Sequence, residues 1–146
     1  MPSRHALFSY GTLCDPLIMR SVSGYTCSGE MASLTGYARI SLRGLPYPAI
    51  IPRVDGHTHG VLYRALTLRQ LAKIDRYEQQ QYVRTRVCVE TERQAVLQAW
   101  TYVLHPRYYR RILRRPWSLN TFQSRHRASY LRAYCGEINN RPLAHD

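Results

Sequence analysis

Long apolar runs are missing from this chain of 146 residues. Nothing approaches the roughly eighteen consecutive apolar residues of a membrane-spanning helix. Near the N-terminus only Ala6-Leu7-Phe8 precedes the return of polar residues, too little for the apolar core of a secretory signal. The expectation is a cytoplasmic protein with no membrane partner. Cysteine is sparse: Cys14, Cys27, Cys88 and Cys135 stand far apart, without a Cys-x-x-Cys pair, so neither a zinc site nor a disulfide framework is predicted. His57 and His59 flank Thr58 and would share one face of a strand, a spacing that suits metal ligation, but no third ligand stands near and no metal is expected. There is no internal repeat and no low-complexity linker, so residues 1–146 are read as one domain with room for a sizeable core.

Negative charge and lysine are also scarce. Twenty Arg and the single Lys73 face 9 Asp and Glu, for a formal charge of +12. Residues 105–146 hold nine Arg against Glu137 and Asp146, giving +7 there and +5 on the remainder. Such charge attracts polyanions without specificity and says little about fold. A polyanion or nucleic-acid binding module is therefore one reading of the tail. No nucleic-acid-binding motif accompanies the charge, so any such binding is expected to be weak and salt-sensitive. At 45% hydrophobic and 11% aromatic, the composition is that of a globular protein.

Two stretches carry candidate chemistry. The first, Leu7-Phe8-Ser9-Tyr10-Gly11-Thr12-Leu13, is an apolar strand running into a glycine-containing turn. Gly tolerates positive φ and close backbone approach, and converging backbone N–H groups can hold a carboxylate or a developing oxyanion. It also reads as a strand that ends in an ordinary turn. The second runs from Leu71 through Ile74, Asp75 and Glu78 into Tyr82-Val83-Arg84-Thr85-Arg86-Val87. At 100° per residue Leu68, Leu71, Ile74, Asp75 and Glu78 share one helix face, with Arg69, Lys73 and Arg76 opposite. A carboxylate in an apolar stripe is costly to desolvate and tends towards a raised pKa, which suits a general base. The alternative is a helix-end Glu that reaches water or an Arg at the rim of the stripe.

Together the Tyr10 to Leu13 loop, the Ile74 to Glu78 helix end and the Tyr82 to Val87 strand resemble the γ-glutamyl cyclotransferase-like family, in its γ-glutamylamine cyclotransferase branch, over residues 6–104. The chain has Gln79 where family members commonly have Gly. The resemblance implies a small β-barrel with flanking helices and a cavity at one mouth. It also implies a reaction that needs no cofactor: the α-amino group of a γ-glutamyl substrate attacks its own side-chain carbonyl, releasing an amine and 5-oxoproline. Glu78 would be the general acid/base, and the Tyr10, Gly11, Thr12 and Leu13 loop the carboxylate or oxyanion site. Tyr10, Tyr82 and Tyr102 are candidate hydroxyl donors, or packing aromatics with satisfied hydroxyls. Arg84 can neutralise a substrate carboxylate or pair with a structural acid. A family member that keeps the fold but has lost catalysis, serving as an interaction protein, is the other alternative.

Local signals outline the remaining elements. Asp15-Pro16 reads as N-cap and first turn of a helix ending before Gly24, whose N-terminal N–H groups would add to the positive end at the loop. Residues 26–41 read as a strand with Gly29 and Gly36 at bulges or close approaches. Tyr47 to Ile51, between prolines, reads as an edge strand, Asp55-Gly56 as a hairpin turn and His57 to Leu66 as a strand. Thr67 and Gln70 form a capping box. Tyr82 to Glu90 and Ala95 to Leu104 read as a hairpin. Short strands around a helix without βαβ alternation give an α+β fold. In the basic tail, 105–146, Ser118 is read as the cap of a helix with Leu119, Phe122, His126, Tyr130 and Ala133 or Tyr134 along one face, packed on the body of the domain.

Overall fold

Strand β1 (His5–Ser9) runs into a 3-10 turn at Thr12–Cys14 and then helix α1 (Pro16–Ser23) in a computed structural model that describes residues 5–26 and 28–135. The expectations for Cys27 and for residues 136–146 fall outside the described residues. Two long strands, β2 (Glu30–Leu42) and β3 (Pro48–Leu66), precede helix α2 (Leu68–Glu78). The hairpin of β4 (Tyr82–Thr91) and β5 (Val96–Leu104) follows, and the two-residue strand β6 (Ile112–Leu113) leads to a helical tail. In that tail α3 (Leu119–Thr121) and α4 (Arg127–Tyr130) alternate with wide π turns at Phe122–His126 and Leu131–Cys135.

The strand order is β3-β1-β5-β4-β2-β6, and β2 pairs again with β3, so five strands close into a barrel with β6 appended to β2. The pairings are antiparallel except where β1 lies parallel to β5 at Leu7 and Trp100. This is the α+β barrel with flanking helices that the resemblance implies. Its sides are set by the period of two along a strand. On β1, Leu7 packs outward with Ile18, Met19, Leu66, Ile74 and Phe122, whereas Phe8 packs inward with Leu34, Ile50, Leu62 and Val89.

Several expectations are corrected. Asp55-Gly56 is not a hairpin turn: β3 continues through it with a shift of register against β2, and a Cβ on Gly56 would lie 2.6 Å from the Tyr37 backbone, so glycine serves the close passage of β3 over β2. The reversal between β2 and β3 lies at residues 43–47, where Arg43-Gly44-Leu45-Pro46 also reads as a turn from sequence and Gly44 has φ +73. The proline-flanked start of β3 pairs with β2 alone, as an edge segment should. On α2, Leu71 and Ile74 are buried but Leu68 is 60% exposed, since packing covers the helix only after its capped first turn. The box itself forms: Thr67 N donates to Gln70 Oε1 at 3.0 Å and Gln70 N to Thr67 Oγ1 at 3.1 Å. In the tail Ser118 caps as read, accepting from Thr121 N at 3.3 Å. Phe122 and Tyr130 are buried while His126 and Ala133 are exposed, because the π turns take more residues per turn than the α period used to draw the stripe.

Candidate active site

At Ser9 the chain leaves β1 and crosses one mouth of the barrel as Tyr10–Leu13, four buried residues. Gly11 has φ −128, so its role is not the positive φ that glycine permits. A Cβ here would sit 2.9 Å from Pro48 Cγ. Glycine lets the loop lie against the Pro48 ring. Among the described residues no acceptor takes the N–H groups of Gly11, Thr12 or Leu13, whereas the next two, of Cys14 and Asp15, are satisfied by Gly11 and Thr12 carbonyls at 3.0 Å.

The other wall comes from the end of α2. The helix stops at Glu78 and turns through Gln79–Gln81 into β4. The loop and this helix end line one narrow cleft of about 70 Å³, together with Tyr47, Pro48, Gln81, Tyr82, Tyr102 and Tyr130. Six of the twelve tyrosines, namely Tyr10, Tyr47, Tyr77, Tyr82, Tyr102 and Tyr130, are in its lining.

Glu78 is partly buried in this cleft, and among the described residues its carboxyl has no hydrogen-bond partner. Burial, and secondly the Asp75 carboxylate one turn back, pushes its pKa up to about 8. Asp75 is held differently: Tyr102 donates its hydroxyl to Oδ1 at 2.5 Å and Arg84 Nε lies 3.4 Å from the same oxygen. Two carboxylates on one helix face thus have separate environments, one aimed at an open cleft and one engaged.

The tyrosines fix the walls. Tyr10 donates to the Tyr102 carbonyl at 2.6 Å and Tyr82 to the Pro48 carbonyl at 2.8 Å. The Tyr77 hydroxyl meets Thr12 Oγ1 at 2.9 Å and also bonds the Tyr130 hydroxyl, tying the loop, α2 and the tail together. Burial first of all raises the pKa of Tyr10, Tyr77, Tyr82 and Tyr102, with Glu78 adding to it in each and the Asp75 hydrogen bond in Tyr102. These phenols stay protonated donors.

Of the residues singled out in the sequence, Tyr10, Gly11, Thr12, Leu13, Glu78, Tyr82 and Tyr102 meet around the cleft, and Arg84 does not line it. Its guanidinium lies 4.5 Å from the Trp100 ring centroid, between that ring and Asp75. The N-terminus of α1 does not add a free positive end either. The fully buried Asp15 carboxylate accepts from Leu17 N at 2.9 Å, and from Gln123 and Arg127 of the tail at 3.0 and 2.6 Å. Tyr47, Pro48, Tyr77, Gln81 and Tyr130 were not singled out. Tyr77 had a signal in its position next to Glu78, while Tyr130 reaches the cleft only through long-range packing. His57 and His59 stand exposed with ring centroids 4.8 Å apart, and among the described residues no group of three or more His, Cys, Asp or Glu is arranged for a metal. No helix among the described residues is long and apolar enough to cross a membrane.

The family model described as gamma-glutamyl cyclotransferase, AIG2-like, matches residues 7–119. AIG2-like protein B of Arabidopsis thaliana is 35% identical over 92 residues, which cover 63% of this chain and 52% of that protein. The chain spans about half the length of the curated relatives it matches. A solution structure of an Arabidopsis thaliana protein superposes with a TM-score of 0.68 at 25% identity, over 100% of this chain and 90% of the other. A solved gamma-glutamyl cyclotransferase shares the fold at a TM-score of 0.61 and 12% identity, over 96% and 89% of the two chains.

Proposed function

The chain belongs to the gamma-glutamyl cyclotransferase, AIG2-like family, and on that premise we propose that it cyclises a γ-glutamyl substrate, releasing an amine and 5-oxoproline without a cofactor. The observation that carries this reading is a Glu78 carboxyl that, among the described residues, has no partner, in a cleft shared with three loop N–H groups that lack an acceptor among the same residues. One is a base without a counter-ion. The other is a set of donors without an anion.

In this reading the loop N–H groups hold the substrate α-carboxylate, or the γ-carbonyl oxygen as it gains charge. Glu78 takes a proton from the α-amino group, whose nitrogen forms the new bond to the γ-carbon. The proton passes to the leaving nitrogen, the old C–N bond breaks, and the ring is 5-oxoproline. Tethering the nucleophile removes much of the entropic cost, an effect equivalent to effective molarities of ~10⁵ M or more. A carboxyl poised at about pH 8 is matched to an amine whose ordinary pKa is about 8, so the proton can go both ways at little cost. Tyr82 and Tyr102 supply hydroxyl-bearing walls, and Arg84 acts through Asp75 and not on the substrate. A reducing, cytoplasmic setting suits the free thiols of Cys14 and Cys88.

The test is incubation of the pure protein with a panel of γ-glutamyl amines and peptides, with 5-oxoproline as the readout. Release from at least one amine supports the reading, and no release from any of them counts against it. A second reading, a polyanion-binding surface, rests on the exposed Arg107, Arg110, Arg111, Arg114 and Arg115. Their binding would weaken steeply with salt, since contacts are to charge alone.

A further inference from the structure

A groove between the β2–β3 hairpin and the Pro116-Trp117 segment holds a positive charge that no carboxylate among the described residues answers. Its lining includes Arg39, Arg53, Asp55, His57, His59 and Trp117, around a cavity of about 410 Å³. His57 and His59 alternate along β3 on one face, and Arg53 and Asp55 line the groove from the irregular stretch just before them. Arg39 reaches the same groove from β2. Its half-buried guanidinium lies 5.6 Å from the Trp117 ring centroid and donates from Nη1 to the carbonyls of Tyr10 at 2.9 Å and His59 at 3.4 Å.

A desolvated guanidinium ordinarily faces a carboxylate. Among the described residues none pairs with Arg39, and no acceptor takes its Nε or Nη2 donors. Burial pulls its pKa down, as expected for a cation without a counter-ion. The planar fork left over matches two oxygens of a phosphate group.

We propose that this groove binds a small phosphate-bearing anion, held by the free fork of Arg39, by Arg53 and by the ring N–H groups of His57 and His59, with Trp117 against its organic part. Asp55 is the acidic residue of the lining. The site is separate from the cleft and independent of the cyclisation chemistry, although Arg39 joins the two through the Tyr10 carbonyl. A long nucleic acid fits less well, because the demand for charge is concentrated on one half-buried group in a concave site.

The experiment is a titration of the whole chain with inorganic phosphate at pH 7, with ionic strength held constant by chloride, followed by two-dimensional NMR of amide, Arg Nε and histidine ring signals. Saturable shifts centred on Arg39, His57, His59 and the Trp117 indole are expected. The double variant Arg53→Gln/His59→Gln, both exposed on β3, should bind at least tenfold more weakly while keeping the spectrum of a folded protein. Arg125→Gln/His126→Gln, equally exposed on the tail, should bind within twofold of wild type. Shifts that do not saturate, or equal weakening in both double variants, would overturn the proposal. So would a single-stranded oligonucleotide that binds more tightly than phosphate and shifts the tail arginines instead of the groove.

Discussion

Tyr102 donates its hydroxyl to Asp75 Oδ1 at 2.5 Å, so a residue of the cleft lining holds the carboxylate whose charge helps to raise the Glu78 pKa. With Arg84 on the same oxygen, Asp75 is a fixed charge one helical turn behind a carboxyl that has no fixed partner.

Removal of that charge should therefore be visible at Glu78. Asp75→Asn keeps the shape but ends one of the two causes of the raised pKa, so the Glu78 titration should move down from about 8. The check is the pH dependence of kcat/KM, whose rising limb should shift to lower pH in the variant. A shift to higher pH would mean that Asp75 does not act on Glu78 through its charge. A stability loss of about 1 kcal/mol should accompany the change, because Tyr102 and Arg84 lose an ionised acceptor that is itself 40% exposed.

Thermal stability should carry the mark of the same carboxyl. Folded Glu78 keeps its proton up to about pH 8, against an ordinary value of 4.5. Between those values the folded state holds a proton that the unfolded chain releases, so stability falls as pH rises through this window. Comparing the Tm of wild type and Glu78→Gln from pH 5 to pH 8.5 isolates the effect. The wild-type Tm should fall relative to that of the variant, and parallel curves would contradict the assigned environment.

Gly11→Val tests the close approach of the loop to Pro48. With 2.9 Å between a new Cβ and the Pro48 ring, the loop or the proline must shift, and both line the cleft. The variant should melt lower, by an overpacking cost of ~1–3 kcal/mol, and should lose 5-oxoproline release. A lower Tm with normal turnover would make the loop a structural element only.

Tyr130 gives a test of the tail as a wall of the cleft. Tyr130→Phe keeps the packing on Tyr47, Tyr77 and Phe122 and loses the bond to the Tyr77 hydroxyl, which should cost about 1 kcal/mol. Tyr130→Ala removes a buried ring and should cost several times more, ~3–5 kcal/mol by analogy with other large aromatic truncations. Chemical denaturation of both variants measures the two costs, and equal losses would show that the ring does not pack as described.

Sequence legibility followed the range of the interactions. The capping box at Thr67 and Gln70, the Asp15 cap and the β4–β5 hairpin are made by neighbours in the chain, and each could be read locally. Closure could not be read in this way, since it depends on β1 lying parallel to β5 and on β2 pairing with β3 as well as with β4. Asp55-Gly56 misled because a hairpin signal and a close-approach glycine look alike until Tyr37 is known to lie opposite. In the site, Gly11 and Glu78 belong to local motifs. Arg84 stands six residues after Glu78 in sequence but is drawn off by Asp75 and Trp100, and Tyr130 enters from more than fifty residues away.

The central claim is that Glu78 moves the proton, and Glu78→Gln tests it most directly, because size and most hydrogen bonding are kept while proton uptake is lost. Single-turnover release of 5-oxoproline from the best γ-glutamyl amine would be measured for wild type and variant at pH 8, with near-ultraviolet circular dichroism to verify the fold. A rate about 100-fold lower or more in a folded variant is predicted, as for the loss of a general base. Near-normal release by folded Glu78→Gln would contradict the account.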